Sequence, residues 1–354
     1  CESVGYRDGA VMKRIQKFGV AGRSSTGKAP QTGMSLIELM ISLVIGSLIL
    51  GAMTFVFFQS RTSYTYNETM SRNQENARIA LDALSHDIRM AGFVGCGKTD
   101  SIQIDVIAKE PPLKKFTSDD VLRGFIHDGE EDVVTGPNVE GSDVLVMFRG
   151  SGQTVTLSGS LELKSSDIEL ESNPDGIAAG DAVLITDCEV GDLFRASKVE
   201  GEGPFIIGHG AAENTSGDLE KTYGPDAQVM RFMNIAFFIR RTERSNSSGG
   251  PIFALFRQVN GVDEEVVDGV ADLRFFYALE DDPTDYVVAA DVVDWGEVVA
   301  VRVHLLMSTQ EQVLSEPQPY TFVGELKTPP KEDRIYRQEF SQVIALRNMV
   351  NDNR

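Results

Sequence analysis

Residues Met34–Phe58 read MSLIELMISLVIGSLILGAMTFVFF, an apolar run carrying a single charge, Glu38. About 25 residues at a helical rise of about 1.5 Å reach roughly 37 Å, enough to cross a hydrocarbon core of about 30 Å. Basic residues precede the run, which puts its start on the cytoplasmic side and its end outside. A cleavable secretory signal fits poorly. Its cut follows the apolar run at small residues, whereas Gln59-Ser-Arg-Thr62 stands there. A plain signal anchor leaves Glu38 unexplained, because a carboxylate within a membrane helix costs several kcal/mol and marks a function by default.

Outward from this run the charge changes sign. Arg7, Lys13, Arg14, Lys17, Arg23 and Lys28 against Glu2 and Asp8 make residues 1–33 a basic leader, while the chain as a whole is −20. A body this acidic repels phosphate, so nucleic acid is excluded as a partner. Met12 is the first methionine, and residues 1–11 are expected to precede the true start. Gly22–Ala29 (GRSSTGKA) stops one hydroxyl short of a phosphate-binding loop, and Pro30 stands where its helix would begin, so a nucleotide site is not expected.

Downstream, Ala77, Leu81, Leu84, Ile88 and Ala91 recur on one helical face, with Asp82, Ser85 and Arg89 directed elsewhere. No proline interrupts 34–91, and Gly92 is a suitable stop. The expectation is one long helix: a membrane-spanning half, 34–58, and an amphipathic continuation, 59–92. Strand patterns follow at 102–107, 143–148, 182–186, 230–239, 252–259, 270–279 and 298–307, with Asn246–Gly250 as a hairpin loop and Pro111-Pro112 and Pro329-Pro330 as extended connections. The fold class expected is α+β, with the helix packed on antiparallel sheet. The β-rich domain covers 93–354, with an insert near 95–225.

Catalysis finds little support. GxSxG, HExxH and GxGxxG motifs are absent, and His86, His127, His209 and His304 lack ligand spacing. His86 with Asp87 is expected to face solvent, and His304 to sit on a packed strand edge. Asp281–Asp285 and Asp128–Asp132 are acidic but lack the spacing of a calcium loop. No cofactor, metal or enzymatic activity is expected. Cys96 and Cys188 are the two cysteines of the acidic body. In an exported domain they are expected to pair, the alternative being two buried thiols.

Gly33-Met34-Ser-Leu-Ile-Glu38 resembles the type IV prepilin motif: glycine before the cut, an apolar first mature residue, glutamate at the fifth mature position. Met34 departs mildly from the usual phenylalanine. The resemblance implies that a prepilin peptidase cuts after Gly33 and methylates the amine of Met34. It further implies that Glu38 meets the Met34 amine of a neighbouring subunit in a filament. Asn76–Phe93, Gly180–Cys188, Val267–Tyr277, Val298–Leu306 and Ala345–Asn348 resemble the PilW group of minor pilins. Val267–Tyr277 with Trp295 also resembles the J-type minor pseudopilin of type II secretion, the alternative reading. The PilW resemblance implies a subunit lodged in the inner membrane with a periplasmic domain, then in the pilus, at its tip. Its partners would be other minor pilins, the major pilin and a PilY-type adhesin.

Overall fold

The computed structural model describes residues 33–109, 115–126, 141–246 and 249–349. The leader up to residue 32 with Gly22–Ala29, Pro111-Pro112, His127 and Asp128–Asp132 lie outside the described residues. The chain divides into two units, Cys1–Ser60 and Arg61–Arg354, and one helix, α1 (Leu36–Met90, 55 residues), contributes to both. Its bounds fall within two residues of the 34–91 expected. Gly92 follows with φ +71°, the left-handed stop that a side chain resists, and an added Cβ would press on Thr99 and Val121 at 3.1 Å. Asn348 Nδ2 donates to the carbonyls of Ala91 (3.1 Å) and Arg89 (3.4 Å), serving acceptors that a helix end leaves open.

Eighteen strands lie among the described residues. The first nine are β1 (Gln103–Val106), β2 (Leu122–Ile126), β3 (Asp143–Gly150), β4 (Val155–Thr156), β5 (Ile168–Leu170), β6 (Ala182–Thr186), β7 (Val190–Arg195), β8 (Lys198–Glu200) and β9 (Phe205–Gly208). Next come β10 (Gln228–Ser245), β11 (Pro251–Val259), β12 (Val262–Asp268), β13 (Val270–Leu279) and β14 (Tyr286–Val287). The last are β15 (Val298–Gln312), β16 (Tyr320–Phe322), β17 (Glu325–Lys327) and β18 (Ile335–Ala345). A nine-stranded sheet runs β1-β7-β6-β10-β11-β12, with β3 and β4 also on β10 and β2 on β3. A second sheet runs β14-β13-β15-β18. Pairing is antiparallel except for β1 on β7, which is parallel and departs from the all-antiparallel expectation.

The 18 residues of β10 are the spine of unit 2. Gln228–Arg231 pair with β6, Phe232–Phe237 with β3 and Ile235–Ser245 with β11, β3 and β11 lying on opposite edges. The stretch near 95–225 is therefore woven into the large sheet through β3, β6 and β7. It also encloses a core of its own, with Ile168, Leu170, Val183, Phe194, Ile207 and Tyr223 buried. There the Tyr223 hydroxyl donates to Asp192, and burial pushes both groups above their ordinary range. Asp143 links the two sheets, accepting from Phe275 N (2.8 Å) and Arg274 Nη1 (3.1 Å). Burial pushes its carboxyl up. Gly124 is required by close approach, since a Cβ there would lie 1.8 Å from the buried Tyr277 hydroxyl.

The main core joins α1 to both sheets. Ala77, Ala80, Leu84 and Ile88 meet Leu145, Met147, Phe237, Leu255, Phe275 and Val303. Two expectations about the helix face need correcting. Ser85, expected to point away, is buried, and so is Asp87, expected in solvent beside an exposed His86. Asp87 is 1% exposed and carries two guanidinium groups: Arg149 Nη2 at 2.7 Å from β3 and Arg257 Nε at 2.5 Å from β11. A carboxylate enters the core here because both its oxygens are paired. His304 is corrected as well. It stands on β15, between β13 and β18 rather than at an edge, with Nδ1 against Glu339.

Removing one member of a buried ion group strands the others. Asp87→Ala leaves Arg149 and Arg257 without their shared acceptor and is expected to lower the unfolding free energy by about 3–5 kcal/mol. Denaturant titration of the full chain in detergent measures this. A loss below about 1 kcal/mol would mean that the arginines recover their bonds elsewhere.

Candidate assembly surface

Within unit 1 every residue from Met34 to Phe58 is exposed except the half-buried Gly46, Leu36 at 78% and Phe58 at 62% among them. An apolar surface of this length does not stay in water: it marks contact with lipid or with other helices. Its hydroxyls are turned back on the helix. Ser42 Oγ donates to the Glu38 carbonyl (2.7 Å), Ser47 Oγ to that of Val44 (2.8 Å) and Thr54 Oγ1 to that of Leu50 (2.7 Å). Outward, the helix therefore offers carbon almost alone.

Glu38 is the exception. It lies in the first turn of α1, where the unpaired amides of a helix start favour an anion. It is exposed, and its carboxylate has no protein partner among the described residues. Gly33 and Met34 precede the helix, both exposed, and nothing lies within 4 Å of a Cβ placed on Gly33. Past Ser60 the surface turns ionic, with Arg72–Glu68 at 2.6 Å and Arg78–Glu75 at 2.5 Å along exposed turns. Such exposed pairs add little to stability and keep that stretch soluble.

Cys96 and Cys188 are joined by a disulfide, Cα to Cα 5.3 Å. The bond ties the segment leaving α1 to the turn between β6 and β7, where Cys188 takes φ +76°. Gly92 N donates to Phe148 O (2.9 Å) and Gly150 N to Phe93 O (2.6 Å), fastening the same segment to the end of β3. Among the described residues no group of three or more His, Cys, Asp or Glu is placed to hold a metal. In the Asp281–Asp285 loop, Asp282 Oδ1 accepts from Thr284 Oγ1 at 2.7 Å, a local turn contact.

Residues 240–348 match the model of the type IV pilus-assembly protein W family, PilW, and residues 28–54 match the prokaryotic N-terminal methylation motif. The chain carries a PilW-family domain behind a prepilin-type methylation motif. No curated protein matches it. The PilW match runs from within β10 to Asn348 and so contains β11, the whole second sheet and the cap on α1. The methylation motif takes in Gly33, Met34 and Glu38. Residues 55–239, with the second core, lie outside both matches.

Sequence reading missed the ion group of the body, Asp87 with Arg149 and Arg257. Two signals were present: Asp87 falls on the apolar face beside Leu84 and Ile88, and Arg149 ends the otherwise apolar run of β3.

The disulfide closes a loop of 92 residues. Loop entropy sets an upper figure of roughly 4–5 kcal/mol for its contribution. Non-reducing peptide mapping of exported protein is expected to recover the Cys96 and Cys188 peptides linked, and Cys96→Ser to destabilise the body by up to that amount. Free thiols at both positions would refute the pairing.

Proposed function

We propose that the chain is a non-catalytic minor pilin of a type IV pilus, acting in the complex that primes assembly and then sits at the tip. In this reading residues 1–33 are a leader removed after Gly33, and Met34 becomes an N-methylated first residue. Residues 34–58 lie first in the inner membrane and later in the filament core. Residues 59–92 continue the helix onto the periplasmic domain, 93–354. Its partners are prepilin peptidase, the other minor pilins, the major pilin and a PilY-type tip adhesin.

The observation that carries the reading is Glu38, a lone carboxylate with no partner among the described residues, on the exposed apolar half of a helix that begins one turn after Gly33. Charge in hydrocarbon needs a counter-charge. The amine created at Met34 of a neighbouring subunit supplies one. The net energy of such a pair is small, since desolvation offsets most of the attraction. Its effect is on register, because a misplaced subunit leaves both charges unpaired. The PilW match over residues 240–348 favours the pilus over the secretion pseudopilin, which would share the helix and the motif.

Loss of the gene is expected to abolish surface pili and twitching while exoprotein secretion continues. Gly33→Val, which crowds an extended backbone entering a protease cleft, is expected to keep the leader and reproduce that loss. Loss of secretion instead would favour the pseudopilin reading, and an intact leader on wild-type protein in a cell with the peptidase would defeat both.

Glu38→Ala is expected to insert and fold normally yet recover its partner pilins poorly in crosslinking or co-purification, and Glu38→Gln, which keeps shape but not charge, to do the same. Wild-type recovery by Glu38→Ala would remove this carboxylate from the assembly contact.

A further inference from the structure

Two adjoining clefts open on one segment of β15. The first, about 330 Å³, is walled by α1 through Thr69, Asn73 and Asn76, by Asp268 at the end of β12, and by Gln310. The second, about 310 Å³, shares Gly269 and Ser308–Gln310 and extends past Phe253 to Tyr320, Phe322, Lys327 and Arg337. The shared segment is irregular. Ser308 pairs with Arg337 and Gln312 with Ile335, so β15 carries extra residues against β18, a bulge of the kind found beside binding sites.

Each cleft has a hydrogen-bond donor with no protein partner among the described residues. Asn73 is 5% exposed, at a position where the same helix face otherwise presents Ala77, Ala80, Leu84 and Ile88, and its Nδ2 is unpartnered. Asn76 beside it is satisfied, donating to Asp268 O (3.3 Å) and Oδ1 (3.2 Å). Arg337 gives Nη2 to Asp333 (2.7 Å) and lies 5.2 Å from the centre of the Tyr320 ring, but its Nη1 is unpartnered. A buried donor left unmet is destabilising, so a leucine would serve the Asn73 position better if packing were its only role. Both nitrogens are buried in the walls of the clefts in the free protein.

We propose that the double cleft is a saccharide-binding site, with Asn73 and Arg337 donating to ring or hydroxyl oxygens and Tyr320 covering a sugar face. The unmet groups are both donors, so the ligand must bring oxygen acceptors. Gln310 stands ready to accept from hydroxyls, and Tyr320, backed by the buried Phe322, offers an apolar wall for the C–H face of a ring. Few ligand classes combine clustered acceptors, clustered donors and an apolar face within a volume this small, and a sugar ring does. The proposal stands independently of the filament reading.

The test uses the full chain in a phosphocholine detergent, which carries no sugar headgroup. Saturation-transfer NMR is run with N,N′-diacetylchitobiose, maltotriose and digalacturonate, and with tri-alanine as the peptide comparison. Transfer to at least one saccharide is expected, weakened about tenfold by Tyr320→Ala and by Gln310→Ala. Asn73→Ala, checked for an unchanged thermal melt, is expected to act alike. Glu202→Gln, in the turn between β8 and β9, is expected to leave binding unchanged. Absence of transfer to all three sugars, equal transfer to tri-alanine, or binding indifferent to both the Tyr320 and Gln310 changes would overturn the proposal and leave a hydrated crevice.

Discussion

Asp87 is where helix and sheet are joined by charge as well as by packing. Its two oxygens hold arginines from two different strands, Arg149 on β3 and Arg257 on β11, and those strands flank β10 on opposite edges. One carboxylate thereby sets the rotation of α1 about its axis against three adjacent strands at once. Apolar contacts alone would tolerate a range of rotations, because alanine and leucine faces slide. A buried carboxylate between two guanidinium groups does not, since any turn of the helix leaves Asp87 and Arg149 as unpaired buried charges. The small residues Ala77 and Ala80 then let the helix backbone lie close to the sheet.

The same helix carries a second carboxylate with the opposite circumstances. Glu38 sits in an apolar stretch and has no partner among the described residues, whereas Asp87 sits in an apolar stretch and has two. The contrast separates what the body satisfies internally from what it leaves for another molecule. The hydroxyls of Ser42, Ser47 and Thr54 turn back on carbonyls of their own helix, and Glu38 is the one charge between Met34 and Phe58.

The second core adds a different kind of constraint. Its strands borrow the first residues of β10, so the part of the chain outside the PilW match depends on the same strand as the part inside it. The disulfide reinforces this dependence by tying the β6–β7 turn to the segment leaving α1. An acidic body with many exposed carboxylates gains from such ties, because like charges on its surface push toward expansion.

Helix periodicity, the apolar run and the glycine stop were legible because each is a local property. The pattern of apolar residues at 3.6-residue spacing and a left-handed glycine need no distant partner to be read, and α1 begins and ends within two residues of the expected bounds. Strands with a continuous apolar run, such as β6, or with alternation, such as β13, were legible for the same reason. β12 and β18 were not: β12 is an acidic edge and β18 is largely polar, and each is a strand because a neighbour offers hydrogen bonds along its length. The Gly33–Glu38 motif was visible because its residues are consecutive. Asp87 looked like a surface acid beside His86, and only the folded chain, by bringing Arg149 and Arg257 from 62 and 170 residues away, makes it a core residue. What the sequence determined by itself was everything that neighbouring residues decide between them. What the tertiary structure alone decided was where charge goes inside, because the energy of a buried charge depends on partners whose distance along the chain carries no information about their distance in space.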